Sequence, residues 1–145
     1  MFGLLGKKPV DKLVEVLGRE KVSTSLVERK LYSYDATPIP IERALPSAVV
    51  FPTSQEDVQK LVKICYEEDI PIFPRGAGSG LTGGAVPTLE RGVVVSFERM
   101  NRFQIDVDNA TAVVEPGVIT YEFQQEVERL VCFIHRTHLP LSIPP

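Results

Sequence analysis

Arg75-Gly-Ala-Gly-Ser-Gly-Leu-Thr-Gly-Gly84 is the stretch on which the reading of this chain turns. Five glycines (Gly76, Gly78, Gly80, Gly83 and Gly84) are more than a turn requires. Each costs conformational entropy on ordering, and a hairpin needs one or two. Loops of this composition serve where backbone must approach something closely. Phosphate is the usual partner, because successive N–H groups form an anion-binding concavity. Gly78-x-Gly80-x-x-Gly83 also matches the dinucleotide fingerprint, and Glu98 lies where a ribose-binding acid would be expected. That reading fails on length. Residues 84–92 separate the loop from the next strand, include Pro87 and have no helical periodicity. A parallel crossover needs about a dozen residues or more, usually as a helix. A P-loop is excluded because no Gly-Lys-Ser/Thr follows.

Working outward, Ile70-Pro-Ile-Phe-Pro74 precedes the loop as a strand and Val93 to Phe97 follows as another. Ala48-Val-Val-Phe51 is a continuous apolar run of the kind that buried parallel strands show. Between it and residue 70, Thr53 and Glu56 have capping-box spacing, and Val58, Leu61, Val62 and Cys65 predict one helical face. Strand, helix and strand so arranged predict a βαβ unit with a parallel crossover. Upstream, Val10, Leu13, Val14 and Leu17, between Pro9 and Gly18, predict a short amphipathic helix. A second helix is predicted from about Ser25 to Tyr34, and the proline-bearing stretch from Asp35 to Pro46 reads as an extended connection. Downstream, Phe103–Val107 and Thr111–Glu115 flank the turn signal Asp108-Asn109. Thr120 is placed to cap a last helix whose face is Phe123, Val127 and Leu130.

Composition bounds the function. The 145 residues carry 43% hydrophobic and 24% charged side chains, close to the globular average. Sixteen basic against nineteen acidic residues leave a net charge of -3, which argues against nucleic acid or an anionic membrane as partner. Two cysteines, Cys65 and Cys132, are too few for a disulfide framework and suit a reducing cytoplasm. No apolar run approaches the roughly 18 residues of a membrane helix, and Lys7 and Lys8 interrupt the N-terminal apolar stretch before it could serve as a signal core. A cytoplasmic location is the expectation.

The string Pro74-Arg-Gly-Ala-Gly-Ser-Gly-Leu-Thr-Gly-Gly-Ala85 resembles the pyrophosphate loop of the PCMH-type (vanillyl-alcohol-oxidase-like) FAD-binding domain. Tyr34-Asp-Ala-Thr-Pro38, Val50-Phe-Pro-Thr53, Met100-Asn-Arg102 and Ala112-Val-Val-Glu-Pro-Gly-Val118 make the text similar to the FAD subunits of glycolate oxidase and D-lactate dehydrogenase. The resemblance covers about residues 10 to 130. It implies an α+β fold, the first lobe and part of the second lobe of a flavin domain, with FAD held between lobes. Residues Arg75, Gly76, Ala77, Gly78, Ser79, Gly80, Leu81, Thr82, Gly83 and Gly84 would wrap the pyrophosphate, and Pro116, Gly117 and Val118 would line the same cleft. Arg75 either adds charge there or fixes the loop. In covalent members a histidine stands at the place of Ser79, so flavin here would be held non-covalently. The implied reaction oxidises a D-2-hydroxy acid to the 2-oxo acid by hydride transfer to flavin. The resemblance also implies partner subunits or an iron–sulfur electron acceptor. The family's catalytic groups come from a cap domain further along, so no residue of this chain is nominated as catalytic.

After Leu130 the text departs from the resemblance. Both histidines, His135 and His138, fall in this tail, but with Pro140 beside them and no third ligand they make a weak metal site. One back-translation of residues 131–140, read with a single G restored in front, encodes Gly-Leu-Phe-Tyr-Pro-Pro-Asp-Pro-Ser-Ser, the continuation the family implies. A single-base frameshift after Leu130 is therefore expected, and resequencing that codon tests it. The expected organisation is an N-terminal helical segment and connection over 1–45, a partial FAD-binding domain over 46–130, and an aberrant, disordered tail over 131–145. Weak or absent flavin binding and no turnover follow. The alternatives are a stand-alone nucleotide-binding module and a remnant without redox activity.

Overall fold

The computed structural model describes residues 9–38 and 40–130. The tail carrying Cys132, His135 and His138, and the frameshift expected there, lie outside the described residues. The elements run α1 (Pro9–Leu17), β1 (Val22–Ser23), α2 (Leu26–Leu31), β2 (Ala48–Val50), α3 (Gln55–Glu67), β3 (Ile72–Arg75), β4 (Val93–Ser96), β5 (Phe103–Asp106), β6 (Thr111–Val114) and α4 (Thr120–Arg129). The expected α+β mixture is observed, including the β5–β6 hairpin.

One four-stranded sheet has the order β1-β2-β4-β3, and β5 and β6 form a separate antiparallel pair. The βαβ unit is present with a difference: β4 runs parallel between β2 and β3, in register Val49↔Val94 and Phe73↔Val94. The glycine loop and residues up to Gly92 therefore make a parallel connection without a helix. β4 takes the centre because all four of its residues are buried, Ser96 included. Strand side chains alternate in direction. Ala48, Val50, Val93 and Val95 pack with Leu13, Leu17, Leu61, Ile64 and Cys65 from α1 and α3. On the opposite face Val49, Phe51 and Val94 pack with Tyr32 and Phe73. Both faces are covered, which is why these strands read as continuous apolar runs. Residues before position 45 thus share one sheet and one core with those after it, through β1 and α1.

The start of α3 lies one residue later than its spacing predicts. Ser54, not Thr53, is the N-cap, and its hydroxyl accepts from the Asp57 N–H at 3.2 Å. Asp57 replaces Glu56 as the reciprocal acid, taking the Thr53 N–H at 3.0 Å and the Thr53 hydroxyl at 2.9 Å. The buried face rotates accordingly to Asp57, Leu61, Ile64 and Cys65, while Val62 is exposed. The charge of Lys21 selects this frame, because its ammonium meets both Asp57 oxygens, at 3.0 and 2.9 Å. Helix α2 is shorter than predicted and has no buried residue. In α4, Ile119 occupies the N-cap and makes no side-chain cap bond, so Thr120 is the first helical residue instead of the cap. Val127 of α4 is buried, but Leu130 is exposed.

Candidate functional site

β3 ends at Arg75 and β4 at Ser96, so the glycine loop leaves the sheet at the carboxyl ends of two parallel strands. Crevices at such ends are where open parallel sheets bind ligands. The Phe97 N–H donates to the Arg75 carbonyl at 2.9 Å and fixes the base of the loop.

The hydrogen bonding of the loop is one-sided. Three of its nine carbonyls are tethered: Gly78 O accepts from the Ala36 N–H at 3.0 Å, Leu81 O from the Thr37 hydroxyl at 3.1 Å, and Gly83 O from the Val86 N–H at 3.1 Å. Among the described residues, no backbone N–H from 76 to 84 donates to a protein acceptor. Residues 76, 77, 79–82 and 84 are exposed, so these N–H groups face solvent and are open to an anionic acceptor. Gly78 (φ 72°) and Gly83 (φ 75°) take the left-handed conformation that turns the chain here. Gly80 and Gly84 face open space: a Cβ on either would meet nothing within 4 Å. Ala77, Ser79, Leu81 and Thr82 are exposed.

Of the expected residues 116–118, Pro116 and Gly117 come to the same place from the other half of the chain, whereas Val118 is not among the residues lining the cleft there. Pro116 O would lie 3.6 Å from a Cβ on Gly76. Gly117 donates to Met100 O at 2.8 Å, and Val118 donates to Glu115 O at 3.2 Å. With Pro116 lacking an N–H, this segment has no free donors. It serves as a wall, and the loop supplies the donors. A Cβ on Gly117 would stand 1.9 Å from Phe97 O, so only glycine lets the wall close against the end of β4. Between the start of the loop and Gly117 is a cleft of about 490 Å³, lined among others by Tyr32, Arg75, Ala77, Glu98 and Ile119; residues 78–84 of the loop do not line it.

Two cleft residues were not legible as a pair. The Tyr32 hydroxyl donates to Glu98 at 2.7 Å, and the Ser96 hydroxyl adds a 3.1 Å bond to the same oxygen. Burial first, and then the Glu98 hydrogen bond, push the Tyr32 phenol up to about 12. Glu98 stands out in the sequence only by its spacing from Gly78, and nothing in its neighbourhood of sequence points to Tyr32, the C-cap residue of α2. At the loop's root, one Asp35 oxygen accepts the Thr37 N–H at 2.9 Å, and its other oxygen is buried without a partner among the described residues.

A free-donor loop, open space at Gly80 and Gly84, and a facing wall fit the diphosphate of a dinucleotide. The comparisons agree. The chain matches the FAD binding domain family over residues 46–139, extending past Leu130, where the sequence reading ends the resemblance. It is 40% identical over 126 residues to the glycolate oxidase subunit GlcD of Bacillus subtilis, covering 86% of this chain and 26% of that protein. It is 44% identical over 89 residues to a D-lactate dehydrogenase of Archaeoglobus fulgidus, covering 60% of this chain and 20% of that one. Among solved structures it superposes on p-cresol methylhydroxylase with a TM-score of 0.69 and 33% identity, covering 83% of this chain and 24% of that one. The chain thus spans about a quarter of the length of these relatives. No helix among the described residues is long and apolar enough to cross a membrane. With the loop, the wall and the matched span in agreement, the chain belongs to the FAD binding domain family and carries part of that domain as it occurs in PCMH-type flavoproteins.

Proposed function

We propose that this chain is the pyrophosphate-holding part of a cytoplasmic flavoprotein that oxidises a small D-2-hydroxy acid, such as glycolate or D-lactate, to the 2-oxo acid. The observation that carries the cofactor half of this reading is the loop in which three carbonyls are tethered while no N–H from 76 to 84 donates to a protein acceptor among the described residues. The substrate half is supported by the glycolate and D-lactate relatives. The backbone of residues 76–84 would hold the pyrophosphate, with Arg75 at its root, and Pro116 and Gly117 would close the cleft. FAD supplies the hydride acceptor when bound, and the protein supplies position and electrostatics. Ser79 offers no imidazole for a ring linkage, so attachment is non-covalent. Electrons would leave through a partner subunit or an iron–sulfur acceptor.

Taken alone, this chain binds FAD weakly and turns over no hydroxy acid. One wall of its cleft rests on β6, every residue of which is exposed. The free-donor loop also suits a stand-alone nucleotide-binding module, and one titration separates the readings. The purified chain is titrated with FAD and with ADP, following flavin fluorescence and loop amide shifts, beside Gly80→Ala. A Cβ at residue 80 meets nothing in the fold, so this variant keeps its melting temperature and loses at least tenfold in affinity for either ligand. Equal FAD and ADP affinity in the low micromolar range, without bleaching by glycolate or D-lactate, favours the module. Stoichiometric flavin carried through purification and bleached by either acid overturns the weak-binding reading. Unchanged affinity in Gly80→Ala overturns the loop assignment.

A further inference from the structure

We propose that Arg75 is a positioning residue: its guanidinium is a strut that holds the glycine loop in the shape that presents its N–H groups. Three contacts surround this side chain. Its Nη1 donates to the Tyr34 carbonyl at 2.5 Å, and its Cζ lies 5.3 Å from the centre of the Tyr32 ring. The third contact is with Gly78, where an added Cβ would fall 2.2 Å from Nη2. The guanidinium therefore occupies the space that any other side chain at residue 78 would need. Gly78 is favoured there by its left-handed φ, and a Cβ at that position would displace the guanidinium.

The contacts form a closed clip. Arg75 reaches across to Tyr34 O, and two residues on, the Ala36 N–H returns to Gly78 O at 3.0 Å. The strand end, the segment 34–36 and the first turn of the loop are thereby held as one unit. The stacking surface is held in its turn, because the Tyr32 hydroxyl is anchored on Glu98 at 2.7 Å. A planar guanidinium can stack and donate at once, which a lysine ammonium cannot. With Nη1 and one face so engaged, Arg75 shapes the loop while its charge stays at the cleft it lines. The consequence for nucleotide binding rests on the function proposed above, but the clip itself is tested without any nucleotide.

The experiment is amide hydrogen exchange on the nucleotide-free chain, comparing wild type with Arg75→Ala, Arg75→Lys and Gly78→Ala. The Ala36 amide is the reporter, since its protection comes from Gly78 O, and the Val94 amide at the sheet centre reports global stability. In all three variants Ala36 is expected to exchange at least tenfold faster while Val94 stays within about twofold of wild type. Arg75→Lys is the decisive variant: it keeps the charge, so fast exchange at Ala36 there assigns the effect to the fork and the stack. If Arg75→Ala fails to fold, Arg75→Lys and Gly78→Ala carry the test. Ala36 exchange within twofold of wild type in the folded variants overturns the proposal. So does full protection in Arg75→Lys, which would reduce Arg75 to a source of charge.

Discussion

At the scale of single residues, glycines that look equivalent in the sequence do different work. Gly117 abuts Phe97 O, where a Cβ would stand 1.9 Å away. Gly117→Ala must push the wall off the end of β4, and we expect a loss of about 1–3 kcal/mol, read as a lower denaturant midpoint. Gly84 meets nothing, so Gly84→Ala should leave that midpoint unchanged. The buried Asp57 is the clearest pH-dependent residue. Burial pushes its carboxyl up, but the Lys21 ammonium and the two Thr53 hydrogen bonds outweigh this and hold it down at about 2, against an ordinary 3.8. A depressed carboxyl stabilises the fold above its unfolded value and loses that contribution as pH falls through its folded value. Wild type should therefore exceed Asp57→Asn by about 2 kcal/mol at neutral pH. The gap should close between about pH 4 and pH 2 in urea melts. A gap independent of pH would show that the ion pair is not its source.

At the scale of elements, α3 is the helix that holds the sheet together. Leu61, Ile64 and Cys65 meet β2 and β4 on one side, and α1 packs alongside, with Lys12 bridging to Glu67 and Glu68 at 3.1 and 2.9 Å. The bridge is exposed and contributes little. The apolar face is decisive: Leu61 is 1% exposed, and Leu61→Ala should cost about 2–5 kcal/mol in chemical denaturation. Burial alone pushes the Cys65 thiol up to about 11. It should resist alkylation until the sheet opens, which makes its labelling rate a second measure of the same element. The pattern of α3 was legible as a helix. Its phase was not, because the choice between Thr53 and Ser54 as cap depends on Lys21, which is far away in sequence.

At the scale of the whole molecule, the two parts are unequally covered. The four-stranded sheet has helices or loop residues on both faces, whereas Val107, Val113 and Val114 of the hairpin region are exposed, Val113 at 77%. A short two-stranded sheet with free edges and apolar side chains invites pairing with another chain. We expect the purified protein to self-associate with concentration in light scattering, and Val113→Lys to suppress this without lowering the melting temperature. Equal association in the variant would move the contact elsewhere. The same exposure explains the weak flavin binding proposed for this chain, since the wall of the cleft stands on the hairpin.

Sequence alone determined that residues 76–84 form a glycine-rich loop, that apolar runs near 48 and 93 are buried strands, and that no Rossmann helix follows the loop. These are local matters, set by glycine content, chain length and side-chain periodicity. Tertiary structure decided that β4 enters between β2 and β3, that Gly117 meets Phe97, and that Tyr32, Arg75 and Glu98 gather at one cleft. It also decided which groups of the loop are spent and which are free. Strand order and donor satisfaction depend on partners distant in the chain, and composition carries no record of them.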